Sequence, residues 1–341
     1  MIGWLAACVE PEPTAVLAWQ SGAGGYVIEA RELPELHDVR HMKGEVGSIE
    51  YGGYVDVDAG WTGGRELDIR IVVEDGVAVP LDPSGVVLYS FYAHLVDTVA
   101  WAELQGFEAE ALVPVQIAVN PAVDVLIELT PADNLAYGTG YHTFVILPDG
   151  GERDVPLAAN LGVVAHEFGH ALFHALLSGG PQQPPLVDDL SLVSARWLSS
   201  LHEAFADTLG ALITDDPAFI QQSIPIDSRD LNGRSPMTSA LVPEAGNSPL
   251  DLYDPYPLGT VFAGVFWEFR LATDDPARTA LLLRDTVERW SPTVDELDGG
   301  FFLEAAAAAA GEELPQLCSA ITWRFPEADW PGPCRALDAS P

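Results

Sequence analysis

One helix limits what this chain can fold into. Leu161, Val163, Val164, Ala165, Phe168, Ala171, Leu172, Leu176 and Leu177 make it apolar nearly all round, so it has to lie inside the molecule. Gly179, Gly180 and Pro181 end it. Set into this apolar segment is His166-Glu167-Phe168-Gly169-His170. Residues i and i+4 share one helix face, about one turn apart. Two imidazoles at that spacing can hold one zinc ion, and the intervening carboxylate can reach a water bound to it.

A catalytic zinc site needs three protein ligands and one open position. The third is sought in Leu201-His202-Glu203-Ala204-Phe205-Ala206-Asp207-Thr208-Leu209-Gly210, which also reads as helix, with Ser199 or Ser200 as N-cap. Leu201, Phe205, Leu209 and Leu212 form its apolar stripe. Glu203 and Asp207, at i and i+4, share a different face. Glu203 is the candidate third ligand. Asp207, one turn on, can accept a hydrogen bond from the far nitrogen of a ligating His and fix its tautomer. His174 continues the His register, but it lies about 12 Å along the helix axis from His166, too far to share one ion. It is assigned to packing or to support of the ligands.

The two segments resemble the thermolysin-like zinc peptidases, the gluzincins. In that family His-Glu-x-x-His is followed by a helix carrying Glu-Ala-x-x-Asp-x-x-Gly, matched here by Glu203-Ala204, Asp207 and Gly210. The spacer between the helices is longer than in thermolysin, which makes this a distant relative. Metzincins fit badly, since they would need Gly at 173 and His at 176, where this chain has Phe173 and Leu176. The resemblance covers roughly residues 85–310 and is strongest at the two zinc motifs.

It implies an α+β, thermolysin-like zincin fold: a β-rich upper lobe and a helical lower lobe with zinc in the cleft between them. It also implies substrate-binding residues. Asp133-Asn134-Leu135-Ala136-Tyr137 looks like the family's edge-strand segment with one residue inserted, so Asn134 and Ala136 are expected to pair with substrate backbone. Arg229 resembles the family's substrate-carbonyl arginine. Tyr256, in Asp254-Pro255-Tyr256, stands where relatives carry a transition-state His. A phenol can donate the same hydrogen bond. Tyr253 is its nearest rival.

Residues 21–82 alternate in short runs and read as strands and turns. Residues 86–105 read as an amphipathic helix, with Leu88, Phe91, Tyr92, Leu95, Val99 and Leu104 on one side. Strands are expected at 113–119, 124–129 and 143–147, and late helices at 276–290 and 301–310. The division expected is a tether at 1–20, a β-rich unit at 21–180 ending in the active-site helix, and a mainly helical unit at 181–341 carrying the third ligand.

Charge narrows the partners. The chain has 51 acidic and 15 basic residues, a net charge of −36, and such a surface repels nucleic acid and anionic membrane. Carboxylates can also bind calcium, but no Asp-x-Asp-x-Asp-Gly loop supports it. Cys318 and Cys334 are spaced to close one disulfide, which implies an oxidising compartment. Cys8 ends Leu5-Ala6-Ala7-Cys8, which resembles a bacterial lipobox, and Glu10-Pro11-Glu12-Pro13-Thr14 looks like a tether. Seven residues precede Cys8 and none is basic, so lipidation of Cys8 and an accidental match both stay open.

The expected protein is an extracytoplasmic zinc metalloendopeptidase, secreted or lipid-anchored at the bacterial surface. Its substrate is a peptide or protein. Its ligands are His166, His170 and Glu203, with Glu167 as general base and Tyr256 and Arg229 as donors to the developing oxyanion. The alternatives are a gluzincin exopeptidase and an inactive zinc-binding adhesion module on the same fold. Intact Glu167 counts against the latter.

Overall fold

The computed structural model describes residues 12–22, 25–56, 60–124, 134–139, 141–147, 153–181, 190–224, 229–232, 243, 253–290, 299–326 and 334–335. Cys8, Asp133 and residues 125–129 of the strand expected at 124–129 lie outside them. Helix α1 (Pro83–Leu104) starts where Asp82 accepts from the Ser84 amide at 2.9 Å and Pro83 takes the first helical turn. It is not the amphipathic helix expected. Tyr89, Phe91, Tyr92, Ala93 and Leu95 are all fully buried, while Leu104, placed by the pattern on the apolar side, is 83% exposed.

The cause is that α1 is covered on several sides at once. The strands are β1 (Ala15–Gly22), β2 (Gly25–Glu32), β3 (Leu36–Asp38), β4 (Lys43–Gly44), β5 (Gly47–Tyr51), β6 (Tyr54–Asp56), β7 (Gly60–Thr62), β8 (Arg65–Glu66), β9 (Ile71–Glu74), β10 (Val77–Pro80), β11 (Val115–Val119), β12 (Ala122–Asp124), β13 (Leu135–Gly138) and β14 (Thr143–Ile146). One sheet runs β2-β1-β10-β9, a second β13-β14-β11-β5-β4-β3 with β8 paired to β5, and a small third β12-β6-β7. Ser90 accepts from the Trp19 amide of β1 at 2.8 Å, and Phe91 meets Phe144 of β14 edge-to-face at 5.5 Å. Tyr89 donates to the Val39 carbonyl at 2.9 Å. Leu104, in the last turn, has passed beyond this cover.

The second sheet positions the site. Its β5, β11 and β14 are mutually parallel, and β14 is buried at all four residues, as strands covered on both faces are. Antiparallel β13 is the edge strand at one end among the described residues.

The remaining helices are α2 (Leu161–Ser178), α3 (Leu192–Thr214), α4 (Tyr256–Thr273), α5 (Pro276–Trp290), α6 (Gly299–Ala310) and α7 (Leu314–Arg324). Packing runs from α1 to α2, α3, α4 and α7 in turn, with α5 against α2, α4 and α6. Phe173, Trp290, Phe302 and Phe262 join these helices through ring contacts of 5.5–6.2 Å. Cys318 of α7 is disulfide-bonded to Cys334. Helix α3 starts earlier than expected. Its N-cap is Ser191, which accepts from the Ser194 amide at 3.1 Å, and Ser199 and Ser200 sit inside the helix. A pattern reading that starts at Leu201 misses the two turns before it. The architecture is mixed α+β.

Candidate metal centre

Asn160 caps α2 by accepting from the Gly162 amide at 2.9 Å, while its own amide donates to the Phe219 carbonyl and the Ser223 hydroxyl. That buried cap fixes the start of the helix carrying His166, Glu167 and His170, and all three are more than nine-tenths buried. The two imidazoles converge, with Nε2 of His166 and Nε2 of His170 3.1 Å apart. Helix α3 brings Glu203 to the same point, 3.3 Å from His166 Nε2 and 3.8 Å from His170 Nε2.

Close backbone approach makes this possible. A Cβ on Gly169 would lie 2.9 Å from the Ala206 Cα, and one on Gly259 would lie 2.8 Å from the Glu203 Cβ. Glycine at these two positions lets α2 and α4 press directly on α3.

The donor set suits zinc. Zinc with bonds of about 2.0–2.2 Å in a tetrahedron sets its ligand atoms roughly 3.3–3.5 Å apart. His166 Nε2 lies 3.1 Å from His170 Nε2 and 3.3 Å from Glu203 Oε2, close to that edge, and the other Glu203 oxygen, Oε1, lies 3.8 Å from His170 Nε2. Glu203 Oε2 is buried without a hydrogen-bond partner among the described residues, which fits an oxygen awaiting a cation.

Asp207 stands behind the ligands. Its Oδ1 is 3.0 Å from Nδ1 of His166, a geometry in which Nδ1–H donates to it and a bound cation would take the Nε2 lone pair in place of a proton. Arg229 pairs with the same oxygen, and Thr260 reaches the other at 3.5 Å. Burial opposes ionisation of Asp207, but Arg229 and His166 outweigh it and hold the carboxyl below the usual range. Burial likewise opposes a charged His166, yet Asp207 and Glu203 raise it to about 9. Burial alone pushes His170 well down, and neighbouring cationic groups add to this.

Glu167 bonds to the main chain of β13. Its Oε2 accepts from the Tyr137 amide at 2.9 Å, and its Oε1 is 4.0 Å from His166 Nε2. Burial pushes its carboxyl up to about 7, against the pull of His166 and with the help of Glu203.

The edge strand corrects one expectation. Leu147 donates to the Asn134 carbonyl at 2.8 Å, and Ala136 stands opposite Val145. Hydrogen-bonded pairs alternate along an antiparallel ladder, so Asn134 and Ala136 turn their backbone groups into the sheet. Leu135 and Tyr137 turn theirs to the open edge, as the Tyr137–Glu167 bond attests. A one-residue offset exchanges the backbone groups that point into the sheet for those that point away from it. The Asn134 side chain accepts from the Leu135 amide at 3.0 Å.

Arg229 and Tyr256 arrive together. The Arg229 guanidinium lies 4.4 Å from the centre of the Tyr256 ring. Tyr256 is 42% exposed at the N-terminal turn of α4, and the Glu203 charge, with burial, raises its phenol above the ordinary value. Tyr253 faces elsewhere, with its hydroxyl 2.7 Å from Ser200 Oγ and its ring under Arg196.

Two residues escaped the sequence reading. His202 stacks on His170 at 4.4 Å, and burial, with the His174 charge, lowers it to about 3. Phe219 stacks on His166 at 6.3 Å. His174 is buried one turn past His170. No motif spacing marks either His202 or Phe219, since each acts by packing on a ligand ring.

No family model and no curated protein matches this sequence. The structure does have a counterpart. The chain is similar in fold to the precursor of protealysin, a metalloproteinase from Serratia proteamaculans. The two superpose with a TM-score of 0.51 over 84% of this chain and 89% of that one, at 12% sequence identity. The fold thus resembles that of a metalloproteinase precursor, and two overlapping groups, His166 with Glu167 and His170, and His166 with Glu203 and Asp207, bring their donor atoms close enough to hold a metal ion.

Proposed function

We propose that this protein is a zinc-dependent metalloendopeptidase of thermolysin-like lobe arrangement, acting outside the cytoplasm. The observation that carries the reading is the convergence of His166, His170 and Glu203 beside a carboxylate, Glu167, that is held off the ligand set by the Tyr137 amide. A binding module has no use for a buried fourth group of this kind.

When bound, zinc supplies Lewis acidity, polarising the scissile carbonyl and acidifying water. Glu167 takes up the proton from the attacking water and returns it to the leaving amine. A carboxyl raised by burial is a stronger base than an ordinary one, and the Tyr137 amide aims it. The outward carbonyls of Leu135 and Tyr137 offer acceptors to an extended peptide. Tyr256 and Arg229 donate to the oxyanion as it forms. Secretion is supported by the Cys318–Cys334 disulfide. Attachment through Cys8 belongs to the same proposal. No helix among the described residues is long and apolar enough to cross a membrane.

The test is metal content together with casein hydrolysis, with and without a chelator. About one zinc per chain is expected. His166→Ala and Glu203→Ala should each lose it along with activity. Full zinc occupancy in both variants would remove the ligand assignment.

Tyr256→Phe gives a separate reading. If the phenol donates only in the transition state, kcat and kcat/KM should fall together, by about 2–4 kcal/mol at most. Zinc content should not change. Unaltered kinetics would leave the oxyanion to Arg229.

A further inference from the structure

Arg229 reaches the metal centre from a short segment, and that segment is held from behind. Residues 229–232 belong to no helix or strand among the α1–α7 and β1–β14 elements. The Leu231 amide donates to the Pro217 carbonyl at 3.0 Å, and Trp267 of α4 donates to Asn232 Oδ1 at 2.9 Å. The Leu231 carbonyl accepts from Arg324 of α7, whose guanidinium also donates to Glu268 of α4 at 2.9 Å.

Arg324 is fully buried. A buried guanidinium is costly unless every direction is met, and a hydrophobic residue would fill the volume at less cost. Helix α4 makes room for it. A Cβ on Gly264 would lie 2.8 Å from the Arg324 Cζ. The charge bonds to the main chain two residues from Arg229, which pairs with Asp207.

We propose that Arg324 is a positioning residue of the metal centre. It fixes the Leu231 carbonyl so that the Arg229 guanidinium meets Asp207 and faces His166. The effect runs from α7 through Leu231, Arg229 and Asp207 to His166 Nδ1. This rests on the metal-site reading above. The same helix, α7, bears the Cys318–Cys334 disulfide, which ties the anchor of this arm to the C-terminal segment.

The experiment is a double-mutant cycle read by zinc affinity, measured by competition with a chromogenic chelator, alongside kcat and KM for a peptide. Arg324→Met and Arg324→Lys are made alone and in an Arg229→Gln background. Residues supporting a ligand typically change metal affinity by about 10–100-fold. Arg324→Met should weaken zinc by about tenfold or more on that scale, and Arg324→Lys, still a donor to Leu231 and Glu268, should recover most of it. In the Arg229→Gln background, Arg324→Met should cost less than about twofold, because the coupled partner is gone. Should Arg324→Met fail to fold, Gly264→Ala crowds the same guanidinium and takes its place in the cycle. Equal losses in both backgrounds, or unchanged zinc affinity, overturn the proposal. A wild-type chain that binds zinc but cuts no peptide removes the peptidase and leaves the cycle readable. One that takes up no zinc overturns both.

Discussion

Glu167→Gln is expected to keep its zinc and lose peptide hydrolysis by about 10²–10⁴-fold, the usual contribution of a positioned general base. The amide fills the same space and can still meet the Tyr137 N–H, but it cannot take a proton. Metal content separates this from a ligand defect. The pH profile adds a second check. A general base works only when deprotonated, so kcat/KM should fall as pH drops through the Glu167 pKa. Burial sets that pKa above the ordinary carboxylate range, towards about 7, and the charge of bound zinc lowers it from there. The acid limb should therefore lie below about 7 and vanish from the residual activity of the glutamine variant. Full activity in that variant would assign the proton to another group.

Asp207→Ala should be the most destabilising single change at the site. Asp207 is fully buried and answers two groups, the His166 Nδ1–H and the Arg229 guanidinium, which is itself largely buried. Removing one partner of a buried ion pair leaves the other charge uncompensated, at a cost of about 3–5 kcal/mol. Glu203, 3.8 Å from Arg229, offsets only part of this. Urea unfolding of the metal-free protein measures the loss directly. Zinc affinity should drop as well, by about 10–100-fold, since the tautomer of His166 is no longer fixed. A loss under about 1 kcal/mol would place the pair among surface-like ion pairs.

Much of the centre was legible because helix periodicity is rigid. Positions 166 and 170 on one helix, and 203 and 207 on another, were put on shared faces by spacing alone, and the resemblance supplied the idea that the two helices meet. What spacing cannot convey is contact between helices. His202 follows no i, i+4 logic with its neighbours, so its stacking on His170 left no trace in the pattern. Helix α1 was misread for the same reason. Its polar-looking positions, such as Ser90 and His94, are buried because β1 and the turn ahead of α2 reach them. Strands are less forgiving. A one-residue shift at Asn134-Leu135-Ala136-Tyr137 exchanged the groups facing the sheet for those facing the open edge. Arg229, carried by a short match, arrives at the site because Arg324 and Trp267 hold its segment, and no local sequence signal could reveal that.

The pressing of Gly169 on Ala206 and of Gly259 on Glu203 bears on which ions the centre can accept. Where helices touch main chain to main chain, no long side chain is left between them to shift and let the ligands spread. Calcium needs six to eight oxygen ligands at 2.3–2.6 Å, and so a wider and more adaptable cage. On the proposed ligand set, two nitrogens and one carboxylate on closely packed helices favour a small ion of low coordination number. With those ligands, selectivity would reside in the spacing of backbones as much as in the identity of the donors, and a methyl group added at either glycine should retune it without touching a ligand.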